Sequence, residues 1–506
     1  GITDVVVSPG SRNAPLSLAF FAASKRELIK LHVRIDERTA AFFALGIIKA
    51  TGRPVPIVCT SGTAVANYHP AVLEASHTNA PLLVLTADRP AILRKTGANQ
   101  TTEQARIYGK AVRYFADIDG PVFPMELPFD SLRSGPVHLN VQFDEPMLPD
   151  DSDKWLDEIV ISAKAFESRT KPTTLKNDAN RGVLIIGHDR AGLSLESVRK
   201  FAKELGWPII AEDPLSFPDA VAHASIFLTS AQIRAALIPQ TVIVIGRTTL
   251  SRSINAFSKL APTQIVIDPR MATVDSDRYA DKRFTQIPVL NTHKASPEWL
   301  DQWDKYSLRC AKNVDGLTGF TEAVIAKEIA ANLPEGSTLF VSSSRPIRDL
   351  EGFATPRSGV TTHANRGLAG IDGNISTALG IALASKQTFA VLGDLSFLHD
   401  LTGLIHREEI NCTFIVINND GGGIFSTLPQ RGVDGFETVF GTPHGLDPAA
   451  IAKAMGISAT TISSIDELKK TLKAAVKGIS IVVANVPSRD ENADSLKAIY
   501  ESMNSI

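Results

Sequence analysis

Two strand-like runs in the last third of the sequence end in polar residues that could bind a metal ion. The run "QTFAVLGD" (387–394) ends in Asp394, and "CTFIVINND" (412–420) contains Asn419 near its end. Apolar runs closed by small or polar residues are typical of parallel strands, whose carboxyl ends lie at one edge of a sheet. One helix, predicted at roughly 398–409, would complete a β-α-β unit and bring both side chains within reach of one ion.

The donor atoms predicted at this edge are hard oxygens, which suit magnesium better than zinc. A single carboxylate leaves the ion with surplus positive charge, which phosphate oxygens can balance. Glycines at 421–423 follow Asn419 and would allow the backbone to come close to those phosphates. Together the two motifs predict a diphosphate held through a metal. The alternative, favoured for either motif alone, is that "GD" and "NN" are ordinary turn residues that end strands.

The remaining sequence predicts the sheets that would position these residues. Short β-branched runs alternate with helix-like periodicity in three series, which predicts an α/β chain of three tandem doubly wound parallel-sheet domains. We expect domains at 1–160, 178–312 and 318–506, with a linker in the polar stretch 162–182. The predicted strands are 4–8, 31–35, 55–60, 81–87, 135–141, 182–187, 207–212, 241–247, 263–268, 337–342, 359–364, 387–394, 412–420 and 479–486.

Composition excludes several classes of protein. The 52 basic and 54 acidic residues nearly cancel, so no electrostatic footprint for nucleic acid or an anionic membrane is present. Cys59, Cys310 and Cys412 form no CxxC pair, which indicates buried, reduced thiols and a cytoplasmic location. No apolar run reaches the length of a membrane span. A hydrophobic fraction of 44% supplies enough apolar surface for several cores.

Several blocks of residues resemble those of thiamine-diphosphate-dependent enzymes. The blocks "GDLSFLHD" (393–400) and "NNDGGGIFSTLPQ" (418–430), whose Asn419 lies 25 residues after Asp394, are similar to the superfamily's cofactor signature. The blocks "SPGSRNAPL" (8–16), "DERTAAFFALGIIKATGRP" (36–54) and "ANRGLAGIDGNISTALG" (364–380) extend the similarity to the 2-succinyl-5-enolpyruvyl-6-hydroxy-3-cyclohexene-1-carboxylate synthase family of menaquinone biosynthesis. Leu395 agrees with that family, which has Leu where most thiamine enzymes have Gly. The middle domain matches loosely, and we interpret it as a scaffold.

The resemblance implies thiamine diphosphate as cofactor, with Mg²⁺ or alternatively Mn²⁺. It implies metal ligation by Asp394, Asn419 and the carbonyl of Gly421. The further cofactor-binding residues that it implies are Gly393, Leu395, Gly422, Ile424, Phe425 and the bulky aliphatic Ile371.

The resemblance also implies a catalytic acid. Glu37 matches the family's carboxylate that hydrogen-bonds to N1′ of the cofactor's aminopyrimidine ring and so promotes loss of the thiazolium C2 proton. Without the family, Glu37 could be an acid favoured by a helix N-terminus or an ion-pair partner of Arg38.

Two carboxylate substrates, 2-oxoglutarate and isochorismate, are implied as well. Arginine forks recognise carboxylates best. The candidate substrate-binding residues are Ser11, Arg12, Arg89, Asn99, Gln100, Ser344, Arg348, Arg366, Leu428 and, from the middle domain, Arg252. For each arginine taken alone, a surface salt bridge is the alternative.

The expected activity is decarboxylation of 2-oxoglutarate and conjugate addition of the remaining fragment to isochorismate, in a homodimer or homotetramer with active sites between subunits. Two alternatives stay open. The chain could be another thiamine-diphosphate decarboxylase or carboligase, such as an acetolactate synthase relative, or a non-catalytic ligand-binding module.

Overall fold

The computed structural model describes residues 1–120, 128–148, 154–158, 173–190, 192–270, 280–405, 408–475 and 477–505. The chain divides into two compact units. Unit 1 comprises Gly1–Ser168, Asn365–Thr388 and Ser396–Cys412, and unit 2 comprises Arg169–Ala364, Phe389–Leu395 and Thr413–Ile506.

The strands within the described residues belong to three large sheets and one two-stranded sheet. They are β1 (Asp4–Val7), β2 (Lys30–Val33), β3 (Val55–Cys59), β4 (Leu82–Asp88), β5 (Tyr114–Ile118), β6 (Val137–Gln142), β7 (Thr174–Asn177), β8 (Gly182–Ile186), β9 (Ile209–Ala211), β10 (Thr241–Ile245), β11 (Thr263–Ile267), β12 (Lys282–Phe284), β13 (Val289–Thr292), β14 (Ser337–Val341), β15 (Val360–His363), β16 (Thr388–Gly393), β17 (Cys412–Asn418), β18 (Ser458–Ile462) and β19 (Ile479–Asn485).

Helices connect these strands. The α-helices of the described residues are α1 (Ala14–Lys25), α2 (Glu37–Thr51), α3 (Thr63–Asn67), α4 (His69–Thr78), α5 (Phe129–Arg133), α6 (Leu195–Leu205), α7 (Ala224–Phe227), α8 (Ala231–Ala236), α9 (Arg252–Ser258), α10 (Pro297–Asp315), α11 (Glu322–Asn332), α12 (Arg345–Phe353), α13 (Asn374–Ala382), α14 (Asp394–His399), α15 (Pro448–Ala454), α16 (Ile465–Lys473) and α17 (Arg489–Ser502).

Unit 1 contains a parallel sheet in the order β2-β1-β3-β4-β6-β5. Its central strands β3 and β4 are buried along their whole length, which explains their near-continuous apolar sequences.

Helices α2 and α13 pack closely within unit 1. A Cβ atom on Gly46 would lie 2.1 Å from the carbonyl oxygen of Thr377, and one on Gly380 would lie 2.1 Å from that of Phe43. Only glycine fits at these two positions. The contact fixes α2, and therefore the position of Glu37, which is its first residue.

Unit 2 contains the sheets β12-β11-β10-β8-β9 and β15-β14-β16-β17-β19-β18. The pairing of β7 with β13 is also parallel. In the six-stranded sheet, β14, β16 and β17 are neighbours, so their carboxyl ends lie side by side. The predicted α/β class, with parallel sheets in three successive parts of the chain, is confirmed.

Some local predictions are wrong. The helix expected at roughly 398–409 is instead α14, which begins at Asp394 itself, followed by a 3₁₀ turn at Leu401–Leu404. The segment breaks after His399, and the buried Asp400 carboxylate accepts hydrogen bonds from the backbone N–H and hydroxyl of Ser376. Part of the expected linker 162–182 is strand β7, whereas residues 162–172 lie outside the described residues.

The three cysteines are buried free thiols, as expected. Among the helices of the described residues, none is long and apolar enough to cross a membrane.

Candidate active site

Asp394 lies in unit 2 at the carboxyl end of β16, with its side chain 3% exposed. Its Oδ2 accepts hydrogen bonds from the backbone N–H groups of Asn419 (3.1 Å) and Gly421 (2.9 Å), and its Oδ1 accepts one from Leu395 (2.6 Å). Burial raises the pKa of Asp394, and the hydrogen bonds from Gly421 and Leu395 oppose that shift. The carboxylate is therefore fixed where the loop after β17 begins.

Asn419 completes the pair that the sequence predicts. Its Nδ2 donates to Oε1 of Glu322 at 2.6 Å, and its Oδ1 is a buried acceptor that has no hydrogen-bond partner among the described residues. A buried acceptor without a partner costs about 1–3 kcal/mol, and a cation offsets that cost. The donor set of one carboxylate and one amide oxygen therefore fits the predicted Mg²⁺.

The glycines at 421–423 have a packing role that the sequence analysis missed. A Cβ atom on Gly421 or Gly422 would lie 2.2 Å from a carbonyl oxygen of the π-helical segment Glu437–Gly441. On Gly423 it would lie 2.3 Å from Nδ2 of Asn419. The lack of side chains at these glycines allows the loop to pack against the segment Glu437–Gly441 and against Asn419. That the same glycines let the backbone approach the phosphates of a cofactor stays a prediction.

Two further side chains support this loop. Arg489 donates to the carbonyl oxygen of Asp420 and forms an ion pair with Glu437. His444 accepts at Nδ1 from the N–H of Leu446 (3.0 Å), and its Nε2 lies 3.4 Å from Oδ2 of Asp394. Neither residue was predicted, because both are distant in sequence from the two motifs.

The apolar candidates of unit 2 follow the glycines. Ile424 and Phe425 lie in the 3₁₀ segment Gly423–Thr427, and the ring of Phe425 lies 5.6 Å from that of Phe440. The backbone N–H of Leu428 donates to the carbonyl of Phe425, which places all three candidates in one short turn.

Ser344 and Arg348 lie after β14, the strand beside β16. Ser344 has φ 74°, a conformation that side chains rarely adopt, and its carbonyl accepts from Nη1 of Arg348 at 2.6 Å. These two candidates therefore lie at the same sheet edge as Asp394. Arg252 is the first residue of α9, which follows β10. It therefore lies beside the five-stranded sheet and not at the edge of the six-stranded sheet where Asp394 lies.

Glu37 lies in unit 1 as the first residue of α2. The N-cap of this helix is Asp36, which forms an ion pair with Arg38 at 2.7 Å. Glu37 lies in the first turn of the helix, where the alternative of an acid favoured by the helix N-terminus also places it. Nδ2 of Asn67 lies 3.5 Å from Oε2 of Glu37. Burial raises the pKa of the Cys59 thiol, and the nearby carboxylate of Glu37 raises it further.

Five substrate candidates of unit 1 follow strands β1 and β4 of its sheet. Nη1 of Arg89 donates to Oγ of Ser61 and to the carbonyl oxygen of Gln100, both at 2.6 Å. Burial, and then the positive charge of Arg12, lower the pKa of Arg89. Two guanidinium groups that repel each other provide a place for an anion. Ser11 and Asn99 adjoin Arg12 and Gln100 in the chain and are exposed.

The segment before α13 holds the last two candidates. The side chain of Arg366 is buried, whereas that of Ile371 is 36% exposed and so does not lie wholly in the core. The buried Glu74 accepts from the backbone N–H groups of Gly367 (2.9 Å) and Leu368 (2.7 Å) and holds this segment. Nothing in the sequence near Glu74 indicates that role.

The parallel α/β fold, with Asp394 and Asn419 at neighbouring strand ends, is the arrangement expected of a thiamine-diphosphate enzyme, and comparisons with known proteins place the chain in that class. Three family models match: the N-terminal TPP binding domain of thiamine pyrophosphate enzymes at residues 1–107, the middle domain of thiamine pyrophosphate enzymes at 149–341, and the C-terminal TPP binding domain at 349–486. A benzoylformate decarboxylase from Polynucleobacter necessarius has a similar fold, with a TM-score of 0.64 and 16% identity over 96% of both chains.

Closer relatives identify the family. The chain is 38% identical to a 2-succinyl-5-enolpyruvyl-6-hydroxy-3-cyclohexene-1-carboxylate synthase of Thermobifida fusca, over 93% of this chain and 91% of that protein. It is 35% identical to a synthase of the same name from Lysinibacillus sphaericus, over 100% of this chain and 95% of that protein. The chain belongs to this synthase family. This finding confirms the main interpretation against an acetolactate synthase relative and against a non-catalytic module.

Proposed function

We propose that the protein joins 2-oxoglutarate to isochorismate with release of CO₂, giving 2-succinyl-5-enolpyruvyl-6-hydroxy-3-cyclohexene-1-carboxylate for menaquinone biosynthesis. Membership in the synthase family supports this activity. The structural observation that carries the proposal is the buried, unpartnered Oδ1 of Asn419 in the loop that Asp394 holds.

Asp394, Oδ1 of Asn419 and the carbonyl oxygen of Gly421 would hold Mg²⁺, with Mn²⁺ as an alternative. Gly393, Leu395 and Gly422 would lie against the diphosphate. Thiamine diphosphate, when bound, supplies the nucleophilic carbon that adds to the 2-oxo group and accepts the electron pair left when CO₂ departs.

Glu37 would hold a proton at the N1′ atom of the cofactor's pyrimidine ring. Its place at the start of α2, fixed by the packing of that helix on α13, supports a defined orientation. The exposed side chain of Ile371 and those of Ile424 and Phe425 would exclude water from the cofactor's apolar face.

Arginines would orient the substrate carboxylates. Arg12 and Arg89, which repel each other, form one anion site together with Gln100. The other residues that we propose for substrate contact are Ser11, Asn99, Arg252, Ser344, Arg348, Arg366 and Leu428. Orientation by such groups lowers the barrier because the reactants no longer lose freedom in the transition state.

We further propose a cytoplasmic homodimer or homotetramer with active sites at the subunit interface. Residues 1–160 would bind the pyrimidine ring, residues 178–312 would form the middle domain, and residues 318–506 would bind the diphosphate. The matched family ranges support three parts in this order.

The test is to incubate the protein with Mg²⁺, thiamine diphosphate and 2-oxoglutarate, with and without isochorismate, and to identify products by mass spectrometry. We expect the succinyl cyclohexene product only when isochorismate is present. Product from pyruvate but not from 2-oxoglutarate would contradict the proposal.

A further inference from the structure

We infer that Glu322 is a positioning residue that turns the side-chain amide of Asn419 so that its oxygen, and not its nitrogen, faces the metal. This inference rests on the proposed function, because it concerns the same metal site. Glu322 is the first residue of α11, far from Asn419 in sequence, and it was not predicted as part of the site.

The side chain of Asn ends in an amide group that is nearly symmetric in shape. The oxygen and nitrogen of Asn have nearly the same shape, so an Asn side chain can present either atom to a site unless a neighbour selects one. A metal cation accepts only the oxygen. A site that uses Asn as a ligand therefore needs a second group that fixes the orientation, as ligands in metal sites generally do.

Glu322 supplies that group. Its Oε1 lies 2.6 Å from Nδ2 of Asn419, and a carboxylate can only accept. A flipped amide would place two acceptor oxygens against each other at this distance. Oδ1 of Asn419 is consequently a buried acceptor without a partner among the described residues, which fits a role as a cation ligand.

Other groups hold the carboxylate itself. Oε2 of Glu322 lies 3.6 Å from Nε of Arg345, and Arg345 also forms an ion pair with Asp349. The side chain of Glu322 is 10% exposed. The absence of a side chain at Gly423 leaves the space that Nδ2 of Asn419 occupies. The carboxylate therefore has a fixed position and a single partner in the metal loop.

The first test is Glu322→Gln. A Gln amide can donate as well as accept, so it tolerates both orientations of Asn419 while it keeps the size of Glu. Arg345 retains Asp349 as a partner, which favours folding of the variant. We expect the dissociation constant for Mg²⁺, measured by calorimetry with saturating thiamine diphosphate, to rise about tenfold or more. We expect kcat at saturating Mg²⁺ to change much less than the Mg²⁺ activation constant.

Glu328→Gln is the matched control. Glu328 lies on the same helix, and its substitution by Gln removes the same charge. Its ion pair, however, is with Lys469 at 2.9 Å. It should bind Mg²⁺ as the wild type does. Equal Mg²⁺ affinity in Glu322→Gln and wild type would overturn the inference. Equal weakening in both variants would also overturn it, because the effect would then be a general loss of charge on α11.

A double variant gives a test that does not depend on the single one. In Asn419→Asp, two carboxylates face each other, whereas in Glu322→Gln/Asn419→Asp the Gln amide donates to one Asp oxygen and leaves the other for the metal. We expect the double variant to bind Mg²⁺ within a few-fold of wild type and more tightly than either single variant. If the double variant binds Mg²⁺ no more tightly than Glu322→Gln does, the inference is overturned. Wild-type protein that binds no Mg²⁺ with thiamine diphosphate would instead contradict the proposed function.

Discussion

Substitution of Gly423 by Ala tests the metal loop with a change of one methyl group. The new Cβ atom would lie 2.3 Å from Nδ2 of Asn419. Ordinary contact needs about 3.4 Å, so the Asn419 amide must move by about 1 Å. Such a movement would disturb its 2.6 Å hydrogen bond to Glu322.

This displacement acts on a proposed metal ligand. A misplacement of about 1 Å costs roughly 100-fold in rate, or about 2.7 kcal/mol. We therefore expect kcat/KM of Gly423→Ala to fall by about two orders of magnitude and Mg²⁺ to bind more weakly. Initial rates measured across a Mg²⁺ titration check both effects, and thermal unfolding of the apo-protein checks that the variant folds.

Gly316→Ala is the control, because its Cβ atom would lie 3.5 Å from the nearest atoms and needs no displacement. It should match the wild type. A Gly423→Ala enzyme within about threefold of wild type in kcat/KM would refute the reasoning that Asn419 must keep this position.

Three further predictions concern unit 1. Arg89→Lys should raise KM for 2-oxoglutarate or isochorismate about tenfold in steady-state kinetics, because Lys lacks the guanidinium fork. An unchanged KM for both acids would count against the anion site. Gly46→Val should lower the free energy of unfolding, measured by urea denaturation, by at least about 1–3 kcal/mol. The reason is that a Cβ atom at this position would lie 2.1 Å from the carbonyl oxygen of Thr377 in α13. An unchanged free energy of unfolding would contradict the close packing of the two helices. Burial lowers the pKa of His32, but its hydrogen bonds with Asp4 and Glu408 outweigh burial and leave that pKa above the ordinary 6.5. The stabilisation from His32 is thus complete below about pH 6.5 and is lost as pH rises through the folded-state pKa, so the urea midpoint should fall from about pH 6 to about pH 9. His32→Gln should remove that pH dependence, and a variant with the wild-type slope would contradict the assignment.

The buried strands could be predicted from the sequence, whereas five of the more exposed strands could not. Strands such as β3, β4 and β8 are buried at every residue, so their apolar runs are continuous. The strands that the sequence analysis missed are β5, β7, β12, β13 and β18. Three of them, β5, β12 and β18, end a sheet, and β7 and β13 pair only with each other. They have exposed residues and therefore lack the apolar pattern that the prediction depends on.

The two motifs of the candidate site were predicted because a β-α-β unit brings consecutive strand ends together. The groups that orient them were not predicted. Glu322 contacts Asn419 across 97 residues, and Glu74 contacts Gly367 across 293. Such pairs arise from the packing of distant elements, and no local spacing signals them. The helix between the motifs was placed too late because β16 ends at Gly393 and the next residue, Asp394, is already the first residue of α14.

We propose above that Asp394 and Asn419 hold a divalent cation that anchors thiamine diphosphate. Crystals grown with Mn²⁺ and thiamine diphosphate test it directly through the anomalous signal of manganese. We predict a peak about 2.2 Å from Asp394, Oδ1 of Asn419 and the carbonyl oxygen of Gly421. No peak at this loop, with the cofactor's diphosphate bound elsewhere, would contradict the account.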